Sequence, residues 1–110
     1  MHMFLHNVHY WLKPGLTPEQ HALFLRGIDD LVKLASVRAA WFGRPAAGGE
    51  AISERGYDYG LVMDLGDEAG HDAFQTDPAH HEIRTRIGGS WERIVIYDVA
   101  AATLEAAADA

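Results

Sequence analysis

Cysteine is absent from this chain. Disulfides, thiolate metal centres and cysteine nucleophiles are therefore excluded, and the composition suits a reducing compartment such as the cytoplasm. Positive charge is scarce: 9 Lys and Arg stand against 16 Asp and Glu, giving a formal net charge of −7. No basic stripe and no cluster of aromatic and basic residues occurs, so neither nucleic acid nor an anionic membrane is an expected partner. No apolar run approaches the roughly 20 residues that cross a bilayer. The opening segment, Met1 to His6, has no charged stretch followed by a long apolar one, so no signal peptide is expected. Ser36, Ser53 and Ser90 lack the context of a nucleophile elbow, and Gly43, Gly48 and Gly49 lack the spacing of a phosphate-binding loop.

What is present is enough apolar material for a core. A chain of 110 residues, 48% of them hydrophobic, suits one small domain. A domain of this size buries a modest share of its surface, so pairing with a second copy would help it. Residues 1–99 read as that domain, and 100–110 as an alanine-rich tail.

Periodicity predicts the elements. Phe4 to Leu12 alternates as a strand, with Phe4, His6, Val8, Tyr10 and Leu12 on one face and Leu5, Asn7, His9 and Trp11 on the other. Lys13-Pro14-Gly15 ends it. Thr17-Pro18-Glu19-Gln20 then supplies a cap, a first-turn proline and the glutamine of a capping box. Leu23, Phe24, Ile28, Leu31 and Ala35 form the apolar stripe of the helix that follows. Val37 to Phe42 suits a second strand and Tyr57 to Leu65 a third, joined by a glycine- and alanine-rich loop over 43–56 that is too long for a tight hairpin. In the third strand Tyr57, Tyr59, Leu61, Met63 and Leu65 are expected to share a face. A helix from Asp67 to about Gln75, another from Pro78 to about Ile87, and a last strand from Trp91 to Val99 complete the pattern.

The segment from Phe74 to His80 joins the two later helices. Asp77 is a side-chain cap, Pro78 fits the first helical position, and the residue before a proline avoids helical backbone. His80 falls in the first turn, where the helix dipole disfavours a protonated imidazole. At about 100° per residue His80 lies roughly 60° from Ile83 and His81 about 160° away, so His80 should flank the buried face and His81 should meet water. A capped turn holding a partly buried histidine explains the same pattern without chemistry.

The element order is strand, helix, strand, strand, helices, strand. It predicts an α+β, ferredoxin-like β-α-β-β-α-β subunit with a four-stranded antiparallel sheet. Helices cover one face of such a sheet, so the face carrying Leu5 and Trp11 is left for a partner, and a twofold homodimer is the simplest cover.

Three local signatures then resemble the stress-responsive dimeric α/β-barrel (Dabb) family. They are His6-Asn7-Val8, Gly56-Tyr57-Asp58-Tyr59 and the Phe74–His80 segment, with Asp98 also similar to the family pattern. The resemblance implies a subunit whose sheet pairs with its twin into a dimeric barrel. One branch, the plant polyketide cyclases, uses a histidine base with a tyrosine in an intramolecular aldol closure. By that resemblance the base falls on His80, the first-strand histidine on His6, and the tyrosine on Phe74, which has no hydroxyl.

If the face bearing His6, Val8 and Tyr10 meets the helices, those residues and His80 would line one cavity with Phe24, Ile28, Tyr59, Phe74 and Ile83. Such a cavity fits a small hydrophobic or aromatic ligand. Three readings follow: a homodimeric, stress-associated ligand-binding protein; an enzyme in which His80 is a general base and His6 or Tyr10 a donor; or a structural, assembling protein with a filled core. Despite seven histidines, no pair at zinc-ligand spacing lies on one helix, so no metal and no cofactor is expected. Arg84 and Arg86 read as a solvated helix face, and Asp98 as a structural residue, for example pairing with Arg93.

Overall fold

Alternation along the first strand decides the architecture. In the computed structural model, which describes residues 3–108, β1 (Met3–Leu12) buries Phe4, His6, Val8 and Tyr10 and leaves the intervening residues partly open. It pairs antiparallel on both sides, with β3 (Tyr59–Asp64) and β4 (Trp91–Ala101). A further strand, β2 (Ala39–Gly43), pairs with β3, and the sheet order is β2-β3-β1-β4. The order β-α-β-β-α-β and the four antiparallel strands are those predicted, with the second helical region divided as expected.

The helices lie on the face of Phe4, His6, Val8 and Tyr10. The first, α1 (Pro18–Leu31), begins at the predicted capping box: Gln20 donates its backbone N–H to Thr17 Oγ1 at 3.1 Å and accepts the Thr17 backbone N–H at 2.8 Å. It ends at Leu31, short of Ala35, which is exposed. Asp67 caps α2 (Glu68–Thr76), and Asp77 both closes α2 and caps α3 (Pro78–Ile87), accepting from Ala79 N–H at 2.9 Å. Helices α1 and α3 approach so closely at Gly27 that a Cβ there would lie 2.3 Å from Ile87 Cγ2. Phe24, Leu61, Met63 and Phe74 are almost wholly buried between sheet and helices, each contributing about 1.5–3 kcal/mol by leaving water. Among the described residues, no helix is long and apolar enough to cross a membrane.

The element boundaries differ from expectation at several points. β2 begins at Ala39 rather than Val37, and β3 begins at Tyr59 rather than Tyr57. Tyr57 therefore does not share the buried face of Tyr59. It turns to the opposite side of the sheet, edge-on to His9 at 4.7 Å and Trp11 at 6.2 Å between ring centroids. On α3, Ile83 and Ile87 are buried, while Ala79, four residues before Ile83 and on the same side, is exposed. β4 continues two residues past Val99, to Ala101, and the tail forms a short helix, α4 (Leu104–Ala108). Residues 109 and 110 of the predicted tail lie outside the described residues.

The uncovered face is largely apolar, with Asn7, His9, Asp64 and Arg93 interspersed. Leu5, Trp11, Val62, Trp41, Tyr97 and Val99 fall on it by strand register, and Trp41 and Tyr97 are 58% and 63% exposed.

Candidate functional site

The site lies where α3 lifts away from the β4 edge of the sheet. There a cleft of about 190 Å³ opens, with His6, Val8 and Tyr10 of β1 on its floor. The end of α2 supplies Phe74, and α3 supplies His80, Ile83 and Arg84. Ile94 and Ile96 of β4 complete an apolar rim. The volume lies below the ~300–1,000 Å³ of pockets for drug-sized ligands, so the space suits a single ring or a short chain.

His80 stands over the cleft, stacked on Phe74 with ring centroids 4.2 Å apart. Its Nδ1 is buried and finds no hydrogen-bond partner among the described residues. Loss of water holds the imidazole below the ordinary histidine range; His81, Arg84 and His6 act in the same direction, and the Phe74 carbonyl opposes them. The N-terminal position in α3 adds a dipole with the same preference for the neutral ring. His81 is exposed, as helical geometry predicts.

His6 is buried, at 4% exposure, and its Nδ1 lies 2.5 Å from Asp98 Oδ1. The two residues face one another across the β1–β4 ladder. Asp98 accepts the Nδ1 proton, so neutral His6 presents an acceptor at Nε2, and protonated His6 presents a donor there. Burial pushes the Tyr10 hydroxyl well above its ordinary range, so it stays protonated.

Of the residues predicted to line a shared cavity, His6, Val8, Tyr10, Phe74, His80 and Ile83 meet at the cleft. Phe24, Ile28 and Tyr59 do not. Phe24 lies behind Tyr10, edge-on at 5.2 Å. Ile28 faces a separate shallow hollow with Leu25, Val32 and Phe42. Tyr59 points to the far end of the sheet, where its hydroxyl meets His21 Nε2 at 2.8 Å and accepts from Arg44 at 3.1 Å. All three are core residues whose shared strand or helix face extends beyond the cleft.

The sequence reading missed two participants. Arg84, assigned to a solvated face, borders the cleft. Asp98 does not pair with Arg93, whose guanidinium lies over the Trp11 ring on the opposite face of the sheet. Alternation along β4 already separates positions five apart onto opposite faces, and that signal was sufficient to rule out the pair. The expectation of no metal centre considered spacing along the chain only. Folding brings His71 of α2 to within 3.8 Å of Asp98 and so groups it with His6.

Comparison with known proteins places this geometry. A search of curated protein sequences finds no match. Solved structures match the fold well. A dimeric ferredoxin-like protein of unknown function from Thermobifida fusca has a TM-score of 0.70 at 23% identity, covering 91% of this chain and 92% of its own. A Dabb family protein with a ferredoxin-like fold from Mesorhizobium loti gives 0.73 at 20% identity, covering 93% and 99%. A hydroxynitrile lyase from Passiflora edulis gives 0.75 at 18% identity, covering 92% and 94%. The family comparison is more specific, since the stress-responsive A/B barrel domain matches residues 4–101. By that match over nearly its whole length, the chain belongs to the Dabb family, the stress-responsive A/B barrel domain proteins.

Proposed function

We propose that this protein is a homodimer that binds a small hydrophobic or aromatic ligand, in a stress-associated setting, through the cleft between α3 and the β4 edge. The observation that carries the reading is the unpartnered, buried Nδ1 of His80, a residue that lines the largely apolar cleft. Buried polar atoms are nearly always paired, so an imidazole nitrogen left free beside an apolar space is suited to a ligand's hydroxyl or carbonyl-bearing group. The small volume favours one ring. The uncovered apolar sheet face supports the dimer, because a monomer would leave Trp41 and Tyr97 in water. The family's stress-responsive description supports the setting.

A thermal-shift screen of single-ring phenols and aromatic ketones tests the reading. Ligands are expected to raise the melting temperature of the wild-type protein, and Ile83→Trp, which fills the cleft, is expected to abolish the shift. Equal shifts in wild type and Ile83→Trp would overturn it.

A second reading is favoured by the depressed basicity of His80. A neutral imidazole removes a proton alpha to a carbonyl: the C–H bond breaks, the proton passes to His80, and the electron pair moves onto the carbonyl oxygen. Protonated His6 or the Tyr10 hydroxyl donates to that oxygen. A relative of this fold named a hydroxynitrile lyase supports enzymatic use of the architecture. Phe74 supplies no hydroxyl, so His6 and Tyr10 of β1 are the donors this reading assigns. Assays with polyketide-like and lactone substrates should lose turnover in His80→Ala; unchanged turnover would remove His80 from catalysis.

A further inference from the structure

We propose that His6, His71 and Asp98 form a binding site for one divalent transition-metal ion at the His6 end of the cleft. Each residue offers one ligand atom, and the three atoms lie within 4.8 Å of one another. Asp98 bridges the pair: Oδ1 is 2.5 Å from His6 Nδ1, and Oδ2 is 3.8 Å from His71 Nε2. Ions such as Zn²⁺ bind nitrogen and oxygen at about 2.0–2.2 Å, which sets tetrahedral ligands roughly 3.3 Å apart. The two separations involve different carboxylate oxygens and fall on either side of that value, so the Asp98 carboxylate must turn to set one oxygen between the imidazoles, and the ion takes the place of the Nδ1 proton that His6 otherwise gives to Asp98. Two imidazoles and one carboxylate suit zinc or ferrous iron, and three protein ligands leave a position open.

The surroundings of His71 favour the same reading. Its ring is stacked on Phe4 at 4.3 Å, which fixes its plane. Asp72 Oδ1 stands 3.8 Å from His71 Nδ1, beyond direct hydrogen-bond distance but close enough for a side-chain rotation to bring it into contact. Metal-bound histidines commonly direct their other ring nitrogen toward a carboxylate. Gln75 Nε2 lies 3.1 Å from His71 Nε2 and donates to its lone pair. That contact selects the unprotonated nitrogen a metal needs, and the ion would displace the amide. Gln75 also borders the cleft, so the open position would face it. The inference is independent of the ligand reading, because ion binding is measured without any organic ligand.

The test is titration of metal-free protein with Zn²⁺ by calorimetry and with Co²⁺ by its visible ligand-field absorption. Wild type should bind one ion per chain. His71→Ala and Asp98→Asn should each weaken binding at least tenfold, while the exposed His81→Ala should bind as wild type does. Circular dichroism establishes that each variant folds; if His71→Ala does not, Asp98→Asn on the edge strand decides. Affinity within twofold of wild type in folded Asp98→Asn, or an equal loss in His81→Ala, would overturn the site.

Discussion

His80 is held between two preferences. Its ring stacks on Phe74 and leaves water, yet its Nδ1 finds no partner among the described residues. A histidine whose folded-state pKa lies below its unfolded value binds fewer protons when folded. Stability therefore rises with pH through the window between those values and is lost on acidification below about 6.5. Melting temperature should fall as pH is lowered from 7 toward 5, and His80→Gln should flatten that slope; an unchanged slope would show that another group sets it. The inward turn of His80 and the outward turn of His81 were legible from helical geometry alone. The Asp98–His6 contact was not, because alternation gives the face of each strand and the β1–β4 register pairs them. His71 carried a weak signal: it lies one helical turn before Phe74, on the same side of α2.

At the scale of elements, α3 positions the chemistry, and two residues position α3. Asp77 joins α2 to α3 through its cap. Asp77→Ala should cost about 0.5–2 kcal/mol in denaturant unfolding, with the His80 NMR signals shifting because the first turn frays. Gly27 lets α1 meet α3, and Gly27→Ala should cost about 1–3 kcal/mol, since the new methyl must push against the Ile87 side chain. A neutral Gly27→Ala would show that Ile87 rotates away freely. The caps at Thr17 and Asp77 were readable because they need only local side-chain chemistry. The starts of β2 and β3 were not, since pairing across the sheet decides where a strand begins. Tyr57 shows the consequence: its spacing matches Tyr59, but it precedes the ladder and turns to the other face.

At the scale of the molecule, one sheet face is covered by helices and the other is largely apolar and open. The sequence carried this division, since both sides of β1 hold large residues, and Leu5 and Trp11 lie on the side without helices. The proposed dimer should sediment at twice the chain mass, and Trp41→Glu on the open face should yield monomer while the helix-side cleft remains formed. Sedimentation of Trp41→Glu as wild type would place the interface elsewhere. The extent of the cavity was less legible: Phe24, Ile28 and Tyr59 fill the core toward the β2 end, and the cleft remains only toward β4. In the proposed function this cleft, with His80 over it, is where the protein meets its ligand. The most direct measurement is a ¹H–¹⁵N NMR titration of the protein with the strongest single-ring binder. Saturable shifts are expected at His80, Ile83, Ile94 and Ile96; saturable shifts confined to the open sheet face around Trp41 and Tyr97, or none at all, would rule out a ligand site in the cleft.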